Sequence, residues 1–351
     1  MFGFGTARTI VGLDIGSSSI KAVELKRSKG EISVSNVGFE ALSTDVVVDS
    51  MIVDSGSVSA AIGKIFGANK ISSRNVATSV SGHSVIVKRI TMPSVSDNDL
   101  MSAIENEAAH NIPFDISDVK IDYQVLSEDH DAGQMDVLLV AVKKDKILNY
   151  TNVLSLSGKT PAIIDIDAFA LQNCYEYNYD PAPNQTVALL NLGASVMNIN
   201  IVKGNTPLFT RDVSVGGNQY TDSLQKELDL TFEDAESLKL GHRIGTVSED
   251  AKQPILEQVT EIIVLEIQKT FDYFRASASG EHIERIYLAG GSAQVPGLME
   301  ALRQEFAIPV EPLNPFQRVM PPAALAQELT EQNAGQLAVA VGLALRSFDD
   351  L

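Results

Sequence analysis

The chain has 351 residues, of which 44% are hydrophobic and 21% are charged, so it can bury the cores of two lobes and is not disordered. Its formal net charge of −18 disfavours direct binding to nucleic acid or to anionic lipid surfaces. Its single cysteine, Cys174, excludes a disulfide within the chain and suits a reducing compartment.

The N-terminal residues, MFGFGTARTIVGLDIG, lack the basic start and the long apolar run of a signal peptide. No uncharged apolar stretch of roughly 18 residues predicts a membrane span. We therefore expect a cytoplasmic protein that reaches a membrane only through another protein.

The elements predicted for the beginning of the chain are strands with one helix. Two apolar runs around a Gly-Ser-Ser-Ser turn predict a β-hairpin over residues 9–25, and a third strand is expected at 32–39. The spacing of apolar residues predicts a helix over 57–66, which a strand at 75–80 follows.

The next elements have the order β-α-β-β-α-β, which predicts a compact inserted subdomain. Ser96 and Asp99 are expected to cap the first of its helices. The six elements are predicted at residues 84–93, 96–110, 119–126, 135–142, 144–157 and 162–167.

The second half of the chain opens as the first half does. LDIGSSSIKAV and LNLGASVMNIN both predict a strand, a glycine turn and a strand, so we expect a duplicated fold with a cleft between its halves. Cys174 lies in a segment predicted as a buried helix, where a free thiol acts as a small hydrophobic group. Further helices are predicted at 217–230, 256–276, 295–306 and 334–348, and a strand at 286–291.

The first candidate site is the turn in GLDIGSSSIK. Its glycine lets a ligand approach the backbone N–H groups, its serines add hydroxyl donors, and its lysine adds a positive charge. Asp14 precedes the turn, where a carboxylate can hold Mg²⁺ through water. An ordinary hairpin with a polar turn is the alternative. The candidate residues are Asp14, Gly16, Ser17, Ser18, Ser19 and Lys21.

Three more segments are candidates for contacting the same ligand. A second glycine turn could clamp a phosphate chain from the opposite side, and a double glycine after a strand suits an adenine ring. On a helix, Glu236 and Lys239 share a face and could contact ribose, although a surface ion pair is the alternative. The candidate residues are Gly193, Ala194, Ser195, Glu236, Lys239, Gly290, Gly291 and Ser292.

The order of these motifs resembles that of the actin-like ATPases, which include actin, sugar kinases, MreB and FtsA. The resemblance implies an α/β, two-lobed actin-like ATPase fold with duplicated mixed-sheet domains, ATP and Mg²⁺ in the cleft, and an FtsA-like inserted subdomain in the first lobe. It also implies that Gly216 and Gly217, a glycine pair like that of MreB and FtsA, lie around the ribose with Glu236 and Lys239. The runs FGFG, GLDIGSSSIKAVEL, HNIPFDISDVKIDYQV and AVAVGLALR are more specifically similar to the PilM family of type IV pilus proteins.

The resemblance also implies boundaries along the chain. The N-terminal part of the first lobe is expected at 1–84, the inserted subdomain at 85–165 and a connecting segment of the first lobe at 166–185. The second lobe is expected to comprise core segments at 186–215 and 284–333 and a helical subdomain at 216–283. A C-terminal helix, 334–351, is expected to return to the first lobe.

The PilM resemblance implies the N-terminal cytoplasmic segment of PilN as a partner, with other pilus platform or motor proteins beside it. The protein would then be peripheral at the inner membrane through PilN. A groove between the first lobe and the inserted subdomain is the expected binding place, along residues 85–93 and around Ile112 and Phe114. The homo-oligomeric state and the pilus process served, such as twitching or DNA uptake, stay open.

Two departures from the superfamily pattern bear on catalysis. Asn191 stands where an aspartate is usual, and an amide cannot supply a second negative charge to Mg²⁺. No residue stands out as a general base, although Asp165 and Asp167 lie near the first connecting element. We therefore expect ATP binding with slow hydrolysis.

Three rival functions remain at this stage. A small-molecule kinase would need a substrate base in the cleft. An FtsA- or MreB-like filament former is the second rival, but the ending SFDDL does not resemble a membrane-binding helix. A scaffold that never cycles is the third.

Overall fold

The structure is a computed structural model that describes residues 9–129, 132–245, 247–278, 280–321 and 334–348. Its described strands are β1 (Val11–Ile15), β2 (Ser19–Ser28), β3 (Glu31–Ala41), β4 (Val47–Val48), β5 (Met51–Ile52), β6 (Asn75–Val80), β7 (Val85–Pro93), β8 (Val119–Asp129), β9 (Gln134–Lys143), β10 (Thr160–Ile166), β11 (Thr186–Leu192), β12 (Met197–Lys203), β13 (Thr206–Val213), β14 (Arg285–Ala289) and β15 (Val310–Pro312). Its described α-helices are α1 (Ser55–Ala68), α2 (Asp97–Asn111), α3 (Lys144–Leu156), α4 (Asp167–Tyr179), α5 (Asn218–Leu228), α6 (Phe232–Lys239), α7 (Glu249–Ser277), α8 (Leu298–Phe306) and α9 (Ala338–Leu345).

The two lobes are built on sheets with the same topology. The first sheet has the strand order β10-β6-β1-β2-β3, and the second has the order β15-β14-β11-β12-β13. In each, three consecutive antiparallel strands are followed by two parallel ones. The predicted two-lobed α/β fold with duplicated mixed sheets is therefore confirmed.

A separate three-stranded sheet, with the order β7-β9-β8, interrupts the first lobe. Helix α2 covers one face of it, and Ile104 and Ala108 are fully buried there. We call β7, α2, β8 and β9 the three-stranded module. Ser96 occupies the predicted N-cap position of α2, but its hydroxyl donates to the Asp99 carboxylate at 2.7 Å instead of accepting from the backbone.

The predicted six-element subdomain is wrong in its last two elements. Strand β10 pairs in parallel with β6 of the first-lobe sheet, so it cannot belong to the module's sheet. Helix α3 places Tyr150, Val153 and Leu154 in the hydrophobic core of the first lobe. Hydrophobic patterns along a chain predict that strands and helices exist, but they do not identify which sheet an element joins.

Helices α4 and α9 pack side by side between the two sheets. Their shared core takes side chains from both lobes, including Val23 of β2 and Leu189 of β11. The helix backbones approach so closely that a Cβ atom on Gly342 would lie 1.7 Å from the carbonyl oxygen of Ala170. The connection between the lobes therefore depends on the absence of a side chain at this contact.

Most remaining predictions agree with the structure in type and differ at the ends. Helix α7 begins at Glu249, two turns before its predicted start, and contains Pro254. Helix α8 begins at Leu298, after a short 3₁₀ turn over Gly291–Gln294. Strands β13 and β15 were not predicted. In the part of the chain that the structure describes, no helix combines the length and apolar character needed to cross a membrane.

Candidate functional site

The two predicted glycine turns have the same hydrogen bonding. The Gly16 N–H donates to the Ser19 carbonyl at 3.1 Å, and the Gly193 N–H donates to the Val196 carbonyl at 3.0 Å. Both turns line one cavity between the lobes. A Cβ atom on Gly193 would lie 2.8 Å from the Val196 carbonyl oxygen, so this turn requires glycine. The duplicated strand–turn–strand units thus place their backbone loops in one cleft.

Asp14 and Lys21 lie at the first turn as facing residues of β1 and β2. Their side chains form an ion pair at 3.2 Å, and both also line the cavity. Ser17 and Ser18 line it too, whereas Ser19 is 4% exposed and contributes its carbonyl to the turn. The cation and the carboxylate of the first motif are therefore adjacent to each other as well as to the cleft.

The remaining second-lobe motifs converge on the carbonyl of Gly193. That oxygen accepts a hydrogen bond from the Gly217 N–H at 2.9 Å and another from the Ser292 hydroxyl at 2.9 Å. A Cβ atom on Gly217 would lie 2.0 Å from the Ser292 Oγ, and one on Gly290 would lie 2.2 Å from the Leu192 carbonyl oxygen. Because Gly217 and Gly290 have no side chain, three segments that are distant in sequence can meet here.

Glu236 and Lys239 form an ion pair on α6, but it is not a surface pair. The Lys239 side chain is 6% exposed, and its Nζ also donates to the Thr221 hydroxyl of α5 at 3.1 Å. The Thr221 hydroxyl in turn donates to Glu236. Lys239 lies next to Gly217, because a Cβ atom there would be 3.5 Å from its Nζ. The pair is therefore buried at its lysine end, whereas the Glu236 side chain is 32% exposed.

The deep end of the cleft contains polar side chains that the sequence did not single out as ligands. Ser50, Ser81 and Asp167 line the cavity, and the Ser79 hydroxyl donates to the Asp167 carboxylate at 2.6 Å. Burial, together with the nearby Asp14, raises the pKa of Asp167 to about 6. A carboxylate with such a pKa beside a cleft is a candidate proton acceptor.

A buried lysine and a second-lobe carboxylate lie near Asp167. Burial lowers the pKa of Lys146 to about 8, and its Nζ donates to the Ser50 carbonyl. Burial also raises the pKa of Asp212, which lies at the end of β13. These groups come from positions 50, 146, 167 and 212, so no local pattern in the sequence could have predicted that they lie together.

The cavity between the lobes has a volume of about 70 Å³. Of the sixteen candidate site residues, ten line it, and the other six are Ser19, Gly216, Gly217, Glu236, Lys239 and Ser292. Within the described residues, no group of three or more His, Cys, Asp or Glu side chains is placed to hold a metal ion.

Comparison with known proteins identifies similar families and folds. The family described as "Type IV pilus assembly protein PilM" matches residues 12–348. A solved structure called "PilM-PilN type IV pilus biogenesis complex" is 23% identical, covers 97% of this chain and 98% of that one, and superposes with a TM-score of 0.86. The FtsA-like, actin-related architecture expected from the motifs is therefore the observed fold.

Other similar proteins have different recorded roles. The cell division protein FtsA of Streptococcus pneumoniae is 21% identical over 92% of this chain and 81% of its own length. The ethanolamine utilization protein EutJ of Escherichia coli is 27% identical over 42% of this chain, an alignment that spans only 48% of EutJ. The structure of MreB5 of Spiroplasma citri bound to ADP is 12% identical, covers 95% of this chain and 94% of that one, and has a TM-score of 0.53.

Proposed function

Because the chain belongs to the PilM family of type IV pilus assembly proteins, we propose that it is the ATP-binding component of a pilus assembly platform. In this proposal, Mg²⁺ and ATP bind between the lobes, and the N-terminal cytoplasmic segment of PilN binds the first lobe. PilN would thereby hold the protein at the inner membrane, and the nucleotide state would influence the bound platform.

The meeting of three second-lobe segments at the Gly193 turn, opposite the Gly16 turn, supports the nucleotide part of the proposal. The turns that begin at Gly16 and Gly193 would present their backbone to phosphate oxygens from opposite lobes, and Gly290 would lie against the base. Lys239 and Glu236 are adjacent to Gly217, as contacts to ribose require. The donor set therefore fits a nucleoside polyphosphate.

Magnesium would supply charge neutralisation of the phosphates, with Asp14 holding it through water. Asp167 would be placed to take a proton from water at the deep end of the cleft. Asn191 is neutral and is engaged with Asn198, so it adds neither charge nor basicity. We therefore propose at most weak hydrolysis, and a binding or switching role in preference to an enzymatic one.

Nucleotide binding would require the lobes to separate. Small-molecule sites typically have volumes of roughly 300–1,000 Å³, whereas the cavity here has about 70 Å³. A ligand that contacts both turns then favours whichever interlobe arrangement lets it reach both. This provides a physical basis for coupling nucleotide state to the rest of the platform.

A groove between the first lobe and the three-stranded module supports the partner part of the proposal. It has a volume of about 640 Å³ and is lined by apolar side chains such as Leu138, Val140, Ile163 and Phe169. Its rim includes β8, an edge strand with one free hydrogen-bonding side. Such an edge can pair with an extended peptide while the apolar wall accepts alternate side chains. PilN is the partner in the similar solved complex.

Two expected contact points are largely engaged within the module itself. Ile112 is 8% exposed and lies in the core of the three-stranded module, so it would offer a partner little surface. Phe114 packs on the same core, and the Lys143 ammonium lies 4.6 Å from its ring centre. Strand β7 faces the second lobe, so the β8 side of the groove is the better location.

Calorimetric titration of a synthetic PilN N-terminal peptide, with and without Mg·ATP, tests the proposal. We expect binding whose affinity changes with nucleotide. Tyr123→Ala, which removes a side chain lining the groove, should weaken peptide binding by about tenfold, the loss of affinity expected for one well-packed aromatic contact. Tyr273→Ala is the matched control, because that tyrosine is 62% exposed and lies outside the groove.

Each outcome of this titration has a definite meaning. Equal peptide affinity with and without bound Mg·ATP would contradict coupling between nucleotide and peptide binding. The protein would then act as a scaffold that does not respond to nucleotide. Absence of peptide binding, with ATP still bound, would overturn the adaptor function in favour of a kinase or a filament former.

A further inference from the structure

A chain of three side chains runs from the nucleotide cleft to the loop that starts the three-stranded module. The Asn191 Nδ2 donates to the Asn198 Oδ1 at 2.8 Å, and the Asn198 Nδ2 donates to the Asp212 Oδ1 at 2.8 Å. The other oxygen of Asp212 accepts a hydrogen bond from the Gly82 N–H at 2.6 Å. Asn191 and Asn198 line the cleft, whereas Gly82 belongs to the first lobe.

The direction of this chain of hydrogen bonds is fixed by its end. Both Asp212 oxygens accept, one from the Gly82 N–H and one from the Asn198 NH₂ group, so the Asn198 carbonyl faces Asn191. Position 191 must therefore donate, which an asparagine can do and an ionised aspartate cannot. The superfamily's usual aspartate would attract the Asn198 NH₂ group and turn the Asn198 carbonyl toward Asp212.

The bond from Asp212 to Gly82 crosses between the lobes, since β13 belongs to the second sheet and Gly82 follows β6 of the first. A second contact lies beside it, between the His83 Nε2 and the Ser214 hydroxyl at 3.0 Å. The Val85 N–H then donates to the Gly82 carbonyl at 3.0 Å, and β7 begins at that residue. A change at Gly82 therefore acts directly on the first strand of the module.

We propose that Asn191 controls, through Asn198 and Asp212, how firmly the second lobe holds the Gly82–His83 loop. Asn191 is thus a positioning residue, and its amide is what this role requires. We call this chain of hydrogen bonds from Asn191 to Gly82 the relay. It rests on the proposed function only for the identity of the ligand in the cleft that would act on Asn191, a nucleoside polyphosphate. It supplies a route by which that ligand changes the placement of the three-stranded module.

A purely structural role for the same bonds makes a different prediction. If Asn198 and Asp212 only satisfy each other's buried polar atoms, a change at Asn191 should affect its own neighbours and not Gly82. Asn198 is 1% exposed, so its amide cannot find water as a substitute partner. If the relay exists, reorientation of that amide must therefore change its hydrogen bond to Asp212.

Hydrogen exchange of the Gly82 amide, followed by NMR on the full chain without ligand, measures how stable the hydrogen bond between the Gly82 N–H and Asp212 is. Asn191→Asp should accelerate this exchange by about tenfold or more, the size expected for losing one hydrogen bond to a charged group. Asn191→Ala, which removes the donor without adding charge, should accelerate it in the same direction. Thermal unfolding of each variant verifies that it is folded.

Asn36→Asp is the matched control. The Asn36 Nδ2 donates to the Glu24 carboxylate at 2.6 Å between β2 and β3, so the substitution breaks a similar bond away from the cleft. It should leave Gly82 exchange unchanged. If both folded Asn191 variants exchange Gly82 within twofold of the wild-type rate, the relay does not exist.

A second arm adds Mg·AMPPNP to the wild-type protein. A changed Gly82 exchange rate that is absent in Asn191→Asp would show transmission from the ligand. If the nucleotide binds at the glycine turns and the Gly82 exchange rate does not change, the ligand does not act on Gly82 through Asn191. Failure of the nucleotide to bind would refute the proposed function alone, because the ligand-free comparison decides whether the relay exists.

Discussion

The contact between α4 and α9 leads to a sharp prediction for Gly342→Ala. The new Cβ would lie 1.7 Å from the Ala170 carbonyl oxygen and 2.6 Å from its carbon, and both atoms belong to rigid helix backbone. The helices must therefore move apart by more than an ångström. Forced repacking of this kind typically costs about 1–3 kcal/mol, which outweighs a gain of about 1 kcal/mol in helix propensity.

Gly63→Ala is the control, because it makes the same chemical change in α1. Gly63 is exposed, and a Cβ atom there would meet nothing within 4 Å. Only the propensity gain applies, so this variant should be stabilised by about 0.5–1 kcal/mol.

Urea unfolding compares the three proteins. The chain has no tryptophan, so far-UV circular dichroism and tyrosine emission are the suitable probes. The free energies of unfolding of the two variants should differ by the repacking cost, about 1–3 kcal/mol, because both gain helix propensity; the control should be the more stable. Equal stability of both variants would show that α4 and α9 are not held in backbone contact, and would refute the reasoning.

Two further predictions concern charged side chains of the cleft. The Asp167 carboxyl has a pKa of about 6 in the folded protein and an ordinary value of 3.8, so the folded state holds the proton more strongly. Relative to Asp167→Asn, the wild type should therefore lose on the order of 2–3 kcal/mol of stability as the pH rises from about 4 to 7. Denaturant unfolding at several pH values measures this difference, and a change of the opposite sign would contradict the assignment. Lys239→Met should weaken ADP binding by about tenfold, as loss of a charge-assisted hydrogen bond predicts. Lys269→Met removes an exposed lysine that pairs with Glu266 at the same helical spacing, and it should leave the affinity unchanged; equal loss in both variants would argue against a ribose contact.

Local sequence patterns sufficed for the features that are local in the structure. Each glycine turn lies between two apolar strands of one hairpin, so its residues, spacing and hydrogen bonds all fall within a short segment. The equivalence of Gly16 and Gly193 could be predicted for this reason. The buried helix that contains Cys174 was predicted from its own composition in the same way.

Features that depend on distant partners could not be predicted. Strand β15 has three residues and exists because β14 offers it a parallel edge. The contact between Gly82 and Asp212 spans 130 positions, and neither residue belongs to a recognisable motif. Asn191 was identified as a departure from the family pattern, but its partner Asn198 lies across a hairpin whose register only the structure defines.

The short stretch from Asp212 to Gly217 carries both the bond to Gly82 and the bond to the Gly193 carbonyl. Its length is therefore constrained more tightly than its composition: an added or missing residue would displace one of the two bonds. By contrast, the Lys29–Gly30 turn is exposed, and Gly30 faces open space. Inserted tags or reporter segments should be accepted at that turn and rejected between Asp212 and Gly217.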